Sequence, residues 1–416
     1  VKLTLDIGPL AHGGHCVART EVDGKRRTVL VRHTAPGEKV TARVTARRSK
    51  VWYADAEEVW EPSPHRVASS WPEAGPGGVG GGELAHLTLA YQRQLKAEVV
   101  RDALRRVGSA ALAEAVAEQA AAFTVRPVGD GQARRTRLEL TVAPHGRAGM
   151  HRYRSHEVLA LTEMPLADPR ITALGLLGDS AWQAHFAPGQ RVRAVAPSVG
   201  SALVGIAGQW FSAPGQRAAP LVHEVVAAAS GSWCYQVAAD GFWQVQRGAP
   251  AALVDAVLAA AQLQAGEKVL ELFAGAGLFS APLGTRVGAG GQVVTLEGAR
   301  SAVDNAAHNV AGLPVRTLAG TVDPAGVEAA GQLLPRVDVV VLDPPRAGAH
   351  PATMAAVAAL HPRCIVLVAC DPAALARDLE AARTAGYDVE SLVGLDLFAH
   401  THHVEVVASL VPRSAQ

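Results

Sequence analysis

Cys370 closes an apolar run, Cys364-Ile365-Val366-Leu367-Val368-Ala369, and precedes Asp371-Pro372. The run is short, β-branched and bounded by Pro362 and Pro372, so it reads as a buried strand. A cysteine at the carboxyl end of such a strand stands where open α/β sheets place their chemistry. Deprotonated, it is a nucleophile. The plain alternative is a buried structural thiol, common for this residue type. Glu405 opens another apolar run, Val406-Val407-Ala408-Ser409-Leu410. It is either an exposed edge charge or a carboxylate placed for proton transfer.

Two further motifs carry chemistry. Leu270-Glu271-Leu272-Phe273-Ala274-Gly275-Ala276-Gly277 reads as a strand entering a tight Gly turn and then a helix. Gly lets the backbone approach a ligand closely. The spacing lacks the third Gly of the dinucleotide fingerprint. Glu297 ends the next strand and can accept hydrogen bonds from ribose hydroxyls. NAD and S-adenosylmethionine both fit this arrangement. Val341-Leu342-Asp343-Pro344-Pro345 ends a strand in a turn stiffened by two prolines. That motif is either a strand terminator or a site for Asp343 beside a transferred group. It favours methyl transfer to nitrogen or carbon over hydride transfer. His400, His402 and His403 invite a metal reading, but an extended segment would alternate their sides and no fourth ligand is evident.

The elements that position these residues follow a rhythm. From about residue 249 helix and strand alternate: Ala251 to Leu263 helical, Val269 to Phe273 a strand, Leu278 to Thr285 helical, Val293 to Glu297 a strand. Ala299 to Val310, Val337 to Leu342, Pro351 to Leu360 and Ile365 to Ala369 continue it. This implies a doubly wound parallel sheet over residues 241–416. Residues 1–62 read as a small β-barrel of short, evenly spaced strands with turns at Gly13-Gly14 and Pro36-Gly37. Residues 63–240 form a central α+β domain. It contains a Gly-rich stretch, 75–82, which has no Lys-Ser/Thr after it and reads as a flexible connection. A helix over 84–107, with Leu87, Tyr91, Leu95, Val99 and Ala103 recurring every four residues, packs on the catalytic domain.

Bulk properties narrow the class. No apolar stretch spans a bilayer and the first residues carry no signal-type core, so a cytoplasmic, membrane-free protein is expected. Four scattered cysteines form no framework and fit a reducing compartment. The net charge of +1 is uninformative. The cations at Arg43, Arg47, Arg48 and Lys50, and at Arg134, Arg135 and Arg137, are solvated faces or phosphate contacts.

In this order the motifs resemble the S-adenosylmethionine-dependent RNA (uracil-5-)-methyltransferases, over nearly the whole chain. The barrel resembles a TRAM domain through Ala11-His12-Gly13-Gly14 and Pro36-Gly37-Glu38, and Ser63-Pro64-His65-Arg66-Val67 resembles the exit from it. Arg135-Thr136-Arg137, Tyr153-Arg154-Ser155-His156 and Phe242-Trp243-Gln244-Val245-Gln246 resemble central segments. The Asp-Pro-Pro-Arg, Cys-x-Pro and His-Thr-His-His-Val-Glu motifs are the specific ones. The resemblance implies that Gln244, Phe273, Gly275, Glu297 and Asp343 bind the cofactor, Cys370 is the nucleophile and Glu405 the general base. It implies a tRNA or rRNA substrate, methylated at uracil C5 through a covalent adduct of Cys370 with C6, and no obligate protein partner. The target base is expected to be flipped out of its stack.

The chain departs from that pattern in four places. Relatives hold a 4Fe-4S cluster on cysteines around Cys-Gly-Gly-Cys; the corresponding stretch is Val79-Gly80-Gly81-Gly82 and the fourth position is Met164, so no cluster is expected. Ala369-Cys370-Asp371-Pro372 replaces Ser-Cys-Asn-Pro, and Asp371 is expected to raise the thiol pKa. Leu278 replaces an Asn, removing a cofactor contact. Gln246 also replaces an Asn. The alternatives are an RNA-binding or RNA-folding protein with reduced methyl transfer, and an RNA cytosine-5 methyltransferase.

Overall fold

The computed structural model describes residues 1–22, 24–132 and 134–413. Its first unit is a closed five-stranded barrel. The strands are Lys2–Ala11, His15–Val22, Lys25–Arg32, Lys39–Arg47 and Val51–Glu61. Their alternating inward residues, among them Leu5, Ile7, Cys16, Val29, Val31, Val40 and Ala54, fill the interior. Closure leaves no unpaired edge. The chain leaves the barrel through Arg66, whose guanidinium grips buried Glu38 with two bonds of 2.6 Å.

The largest sheet has eight strands, ordered Val315–Ala319, Gln292–Glu297, Lys268–Leu272, Val339–Leu342, Cys364–Ala369, Glu405–Pro412, Tyr387–Asp396 and Val125–Pro127. The first five run parallel and Glu405–Pro412 runs antiparallel to them. Val339–Leu342 and Cys364–Ala369 are buried at every position, as central parallel strands covered on both faces must be. Leu270, Val340, Ile365 and Leu367 pack towards helices Leu89–Arg106, Pro351–Ala359 and Pro372–Thr384. Val269, Val339, Val366 and Val368 pack towards helices Ala249–Ala261 and Ser280–Val287. The sheet is therefore doubly wound. A separate seven-stranded antiparallel sheet, from Arg137–Val142 to Gln216–Ala218 in sequence span, carries its own core around Trp71, Leu140, Trp182 and Val204.

Three sequence-based expectations change. The helix begins at Leu89, not Leu84, because residues 84–88 form turns in which the Leu84 N–H donates to the His400 carbonyl. The catalytic layers reach beyond residues 241–416: Val125–Pro127 adds the edge strand, and the hairpin of Leu221–Ala228 and Gly231–Ala238 packs Val222, Tyr235 and Val237 into the sheet's core. The Gly-rich stretch is built in. Val79 N–H donates to the Glu73 carbonyl, Tyr153 N–H to Gly78 and Gly77 N–H to Asp55. A Cβ on Gly78 would fall 2.0 Å from the Glu73 oxygen, and one on Gly82 2.7 Å from Ala74 Cβ. Glycine serves close packing at Gly78 and Gly82 and a left-handed backbone at Gly77 and Gly81 (φ 74° and 96°).

Candidate active site

The parallel strands deliver Phe273, Glu297, Asp343 and Cys370 to one edge of the sheet, the edge where such folds bind ligands. The antiparallel strand starts at that same edge. Ala369 pairs with Val406 and Val368 with Val407, so the register carried one step further sets Cys370 opposite Glu405. Glu405 is buried, and burial followed by the charge of Asp343 holds its carboxyl well above the usual range. Burial pushes Asp343 up to about 7. Burial, then Glu405, then Asp343 push the Cys370 thiol up to about 12, while Arg346 opposes them. Two close carboxyls, one buried and one half-buried, cannot both ionise cheaply, so this pair holds a proton near the thiol.

The backbone around these groups is fixed by specific contacts. Asp378, buried on the helix that follows Cys370, accepts the Ala349 N–H at 2.8 Å. That bond ties the Asp343-Pro344-Pro345-Arg346 turn to the helix that starts beside Cys370. The loop before Glu405 is held by helix Leu89–Arg106. Gln92 accepts the His400 N–H at 2.7 Å and donates to the Leu84 and Leu87 carbonyls. Lys96 donates to Asp396 at 2.7 Å and to the Phe398 carbonyl at 3.0 Å. Both side chains are buried. The barrel closes over the same loop. Gly14 nests so tightly that a Cβ would lie 2.9 Å from Glu83 Cβ and 3.2 Å from His402 Cβ.

Beside the thiol lies an acidic recess. Phe273 takes a left-handed backbone (φ 61°) that turns the chain out of its strand, so the strand stops at Leu272. Glu297 accepts the Gly275 N–H at 2.9 Å and the Ala299 N–H at 2.7 Å. A Cβ on Gly275 would meet nothing within 4 Å, leaving open space over the turn. Glu271 was not singled out from the sequence, and it is the deepest group here. Burial pushes it up to about 8, against a 2.5 Å bond from Ser280, with Asp343 and Glu297 adding to the rise. Its Oε1 is buried without a partner. An orphaned carboxylate oxygen among three mutually repelling acids fits a cationic ligand. Gln244 is buried, and its amide makes no hydrogen bond to protein among the described residues.

Residues 335–412 match the family described as tRNA (Uracil-5-)-methyltransferase, and residues 2–58 match the TRAM domain. An RNA methyltransferase of Streptomyces avermitilis is 38% identical over 98% of this chain and 98% of its own. The 23S rRNA (uracil(1939)-C(5))-methyltransferase RlmD of Halomonas elongata is 33% identical, covering 96% of this chain and 88% of its own. The chain belongs to the RNA uracil-5 methyltransferases. In fold, this methyltransferase is similar to the Pyrococcus abyssi tRNA (uracil-54, C5)-methyltransferase solved with S-adenosyl-L-homocysteine. The TM-score is 0.68 at 21% identity, over 98% of this chain and 99% of that one.

The methyltransferase's departures from its relatives now have places. Leu278 is buried in the core, and its carbonyl accepts the Tyr235 hydroxyl at 2.8 Å, so it braces the Gly turn from behind. Gln246 is buried and donates to the Val128 carbonyl at 3.3 Å. An iron–sulfur cluster does not fit the residues present. Cys16, Cys234, Cys364 and Cys370 lie in other elements, and Trp71, Ala74, Val79 and Met164 pack together where ligands would converge. Glu73 joins the two segments instead, accepting the Thr162 N–H and hydroxyl, each at 2.9 Å. The histidines are structural neighbours of the site: among the described residues no set of three or more metal-ligating side chains converges. The second Arg cluster disperses. Arg134 pairs with Asp130 and Arg137 with backbone carbonyls, while Arg135 is drawn down by burial and by Arg346 beside it. Among the described residues no helix is long and apolar enough to cross a membrane.

Proposed function

We propose that the methyltransferase moves a methyl group from S-adenosylmethionine to C5 of a uridine in tRNA or rRNA. The observation that supports this reading best is the register placing Cys370 opposite Glu405, with Asp343 on the neighbouring strand end. S-adenosylmethionine supplies an electrophilic methyl on a sulfonium. Glu271, Glu297 and Asp343 would hold its cationic and ribose parts over the open Gly275 turn, with Phe273 and Gln244 as neighbouring contacts. Uracil C5 is too weak a nucleophile alone. The Cys370 thiolate would add to C6, and the electron pair displaced into the ring would make C5 attack the methyl carbon, whose bond to sulfur breaks and leaves its pair on the neutral thioether. Glu405 then takes the C5 proton, the ring double bond re-forms, and the Cys370–C6 bond breaks to release thiolate. A carboxyl held above its ordinary range suits this step, because it must accept a proton and later give it up.

Unmodified tRNA or 23S rRNA, incubated with protein and methyl-labelled S-adenosylmethionine and digested to nucleosides, tests the reading. Label is expected in 5-methyluridine. Label in 5-methylcytidine instead would assign the enzyme to cytosine. RNA binding with no labelled nucleoside would favour an RNA-folding protein.

A further inference from the structure

Five side chains from two domains form an alternating stack beside the thiol site. Buried Arg32, paired with Asp55, lies 3.7 Å from the Tyr153 ring centre. Arg154 lies 5.3 Å from the same ring and 4.5 Å from the Tyr53 ring. Arg48 lies 5.9 Å from the Tyr53 ring. Tyr53 belongs to the barrel strand Val51–Glu61, whereas Tyr153 and Arg154 follow strand Ala148–His151 of the central sheet.

Two features separate this stack from ordinary domain glue. Arg48 and Arg154 are exposed and have no carboxylate partner among the described residues, and Arg47 and Lys50 beside them have none either. Neighbouring Arg43 and Arg152 are paired, with Glu57 and Glu157. A cluster of uncompensated cations over aromatic rings favours an anion that also has π-faces. Arg154 also sits at φ 54°, a left-handed backbone that glycine adopts freely and a side chain adopts at a cost. The stack leads to the chemistry. The Tyr153 hydroxyl is 3.3 Å from His15 Nε2, and the turn preceding His15 carries His12, which pairs with Asp371 next to Cys370.

We propose that this arginine–tyrosine stack seats an unpaired RNA segment adjoining the target uridine. Bases layer on the exposed guanidinium faces, which the half-buried tyrosine rings support from beneath, and Arg47, Arg48 and Lys50 meet the phosphates. The segment is single-stranded because bases locked in a duplex offer no free face to stack. The inference rests on the RNA-methyltransferase reading only for the identity of the ligand.

Binding of a fluorescein-labelled oligouridine and of an RNA duplex of equal length, followed by anisotropy without cofactor, tests it alongside thermal melting. Arg154→Gly relieves the backbone, so its melting temperature should match or exceed that of the unaltered protein while oligouridine affinity falls about tenfold and duplex affinity falls less. Tyr53→Leu, which changes no charge, should lose oligouridine affinity similarly. Arg47→Ala with Arg48→Ala should flatten the salt dependence of log affinity by about 1.4. A lower melting temperature for Arg154→Gly with unchanged oligouridine binding would make the stack a domain clasp and overturn the proposal. Equal losses on both RNAs would reduce it to a phosphate patch and overturn it too. If the unaltered protein binds oligouridine through the stack yet forms no 5-methyluridine, the activity reading fails and this one stands.

Discussion

Asp371 Oδ2 lies 3.1 Å from His12 Nε2, joining the helix that starts beside Cys370 to the first turn of the barrel. The other carboxylate oxygen caps that helix, accepting Ala373 N–H at 2.9 Å and Ala374 N–H at 2.8 Å. Burial alone would raise Asp371, but His12 and the two backbone donors bring it down to about 2. Through its hydrogen bond to Asp371, His12 is held above its usual value. The carboxylate that stood out in the sequence as a burden on the thiol is therefore largely committed elsewhere. It ranks behind burial, Glu405 and Asp343 in raising Cys370.

Asp371→Asn should cost little. Asparagine caps a helix as well as aspartate, and His12 is half exposed, so the lost pair is worth about 1 kcal/mol at most. The contribution of Asp371 is present above its unfolded pKa of about 4 and fades as pH falls towards 2; that of His12 is present below about 6.5 and fades as pH rises. Denaturant melts should therefore show the largest Asn-for-Asp penalty between about pH 4 and 6.5. Iodoacetamide labelling of the Cys370 peptide should quicken slightly in this variant, and more in Glu405→Gln.

Binding of S-adenosylmethionine should expel protons. Glu271 and Asp343 are held up to about 8 and about 7, so both are partly protonated near neutrality, and an arriving cation favours their ionised forms. Titration calorimetry in buffers of different ionisation heat should show proton release between these values, and affinity should fall as pH drops through 7. Glu271→Gln should remove much of the release. Heats independent of buffer would contradict the acidic recess.

The alternation of helix and strand, the ends of the parallel strands and the acids on them were legible because short β-branched runs bounded by Gly and Pro have few other readings. What was not legible depends on distant partners. Nothing near Val125 announces that three residues complete a sheet edge against Gly394–Asp396. Glu271 lies inside an apolar strand, and only burial without a second partner distinguishes it. The stripe of Leu95 and Val99 is buried as its spacing implies, but the buried face is wider and takes in Gln92 and Lys96. They are four apart on the buried face, and polar residues in register with Leu95 and Val99 were the available signal. The Gly-rich stretch misled because composition cannot separate a free linker from a backbone packed too closely for a Cβ.

Gln92→Leu should loosen the Glu405 loop. It leaves the His400 N–H and the Leu84 and Leu87 carbonyls without their partner, costing about 1–3 kcal/mol. The turnover number should fall, with affinity for S-adenosylmethionine unchanged, since the recess lies on other strands. Unchanged turnover would remove this helix from the account of the site.

Glu73→Ala should destabilise the central domain by about 1–3 kcal/mol, because three donors at Thr162 and Glu163 lose a charged acceptor. Iron analysis of the unaltered protein should find no stoichiometric iron. Stoichiometric iron would contradict the apolar filling around Val79 and Met164.

Cys370→Ala should abolish methyl transfer while RNA binding persists, because the side chain is proposed to form and break the bond to C6 but is one small group in the RNA surface.

Cys370 is proposed to bond to the target base, and Glu405 to set it free. Glu405→Gln protein, incubated with unmodified tRNA or 23S rRNA and S-adenosylmethionine and run on a denaturing gel, tests it most directly. A protein band retarded by bound RNA, absent when Cys370→Ala is added, is the predicted result. Ordinary 5-methyluridine formation by Glu405→Gln with no retarded band would contradict it.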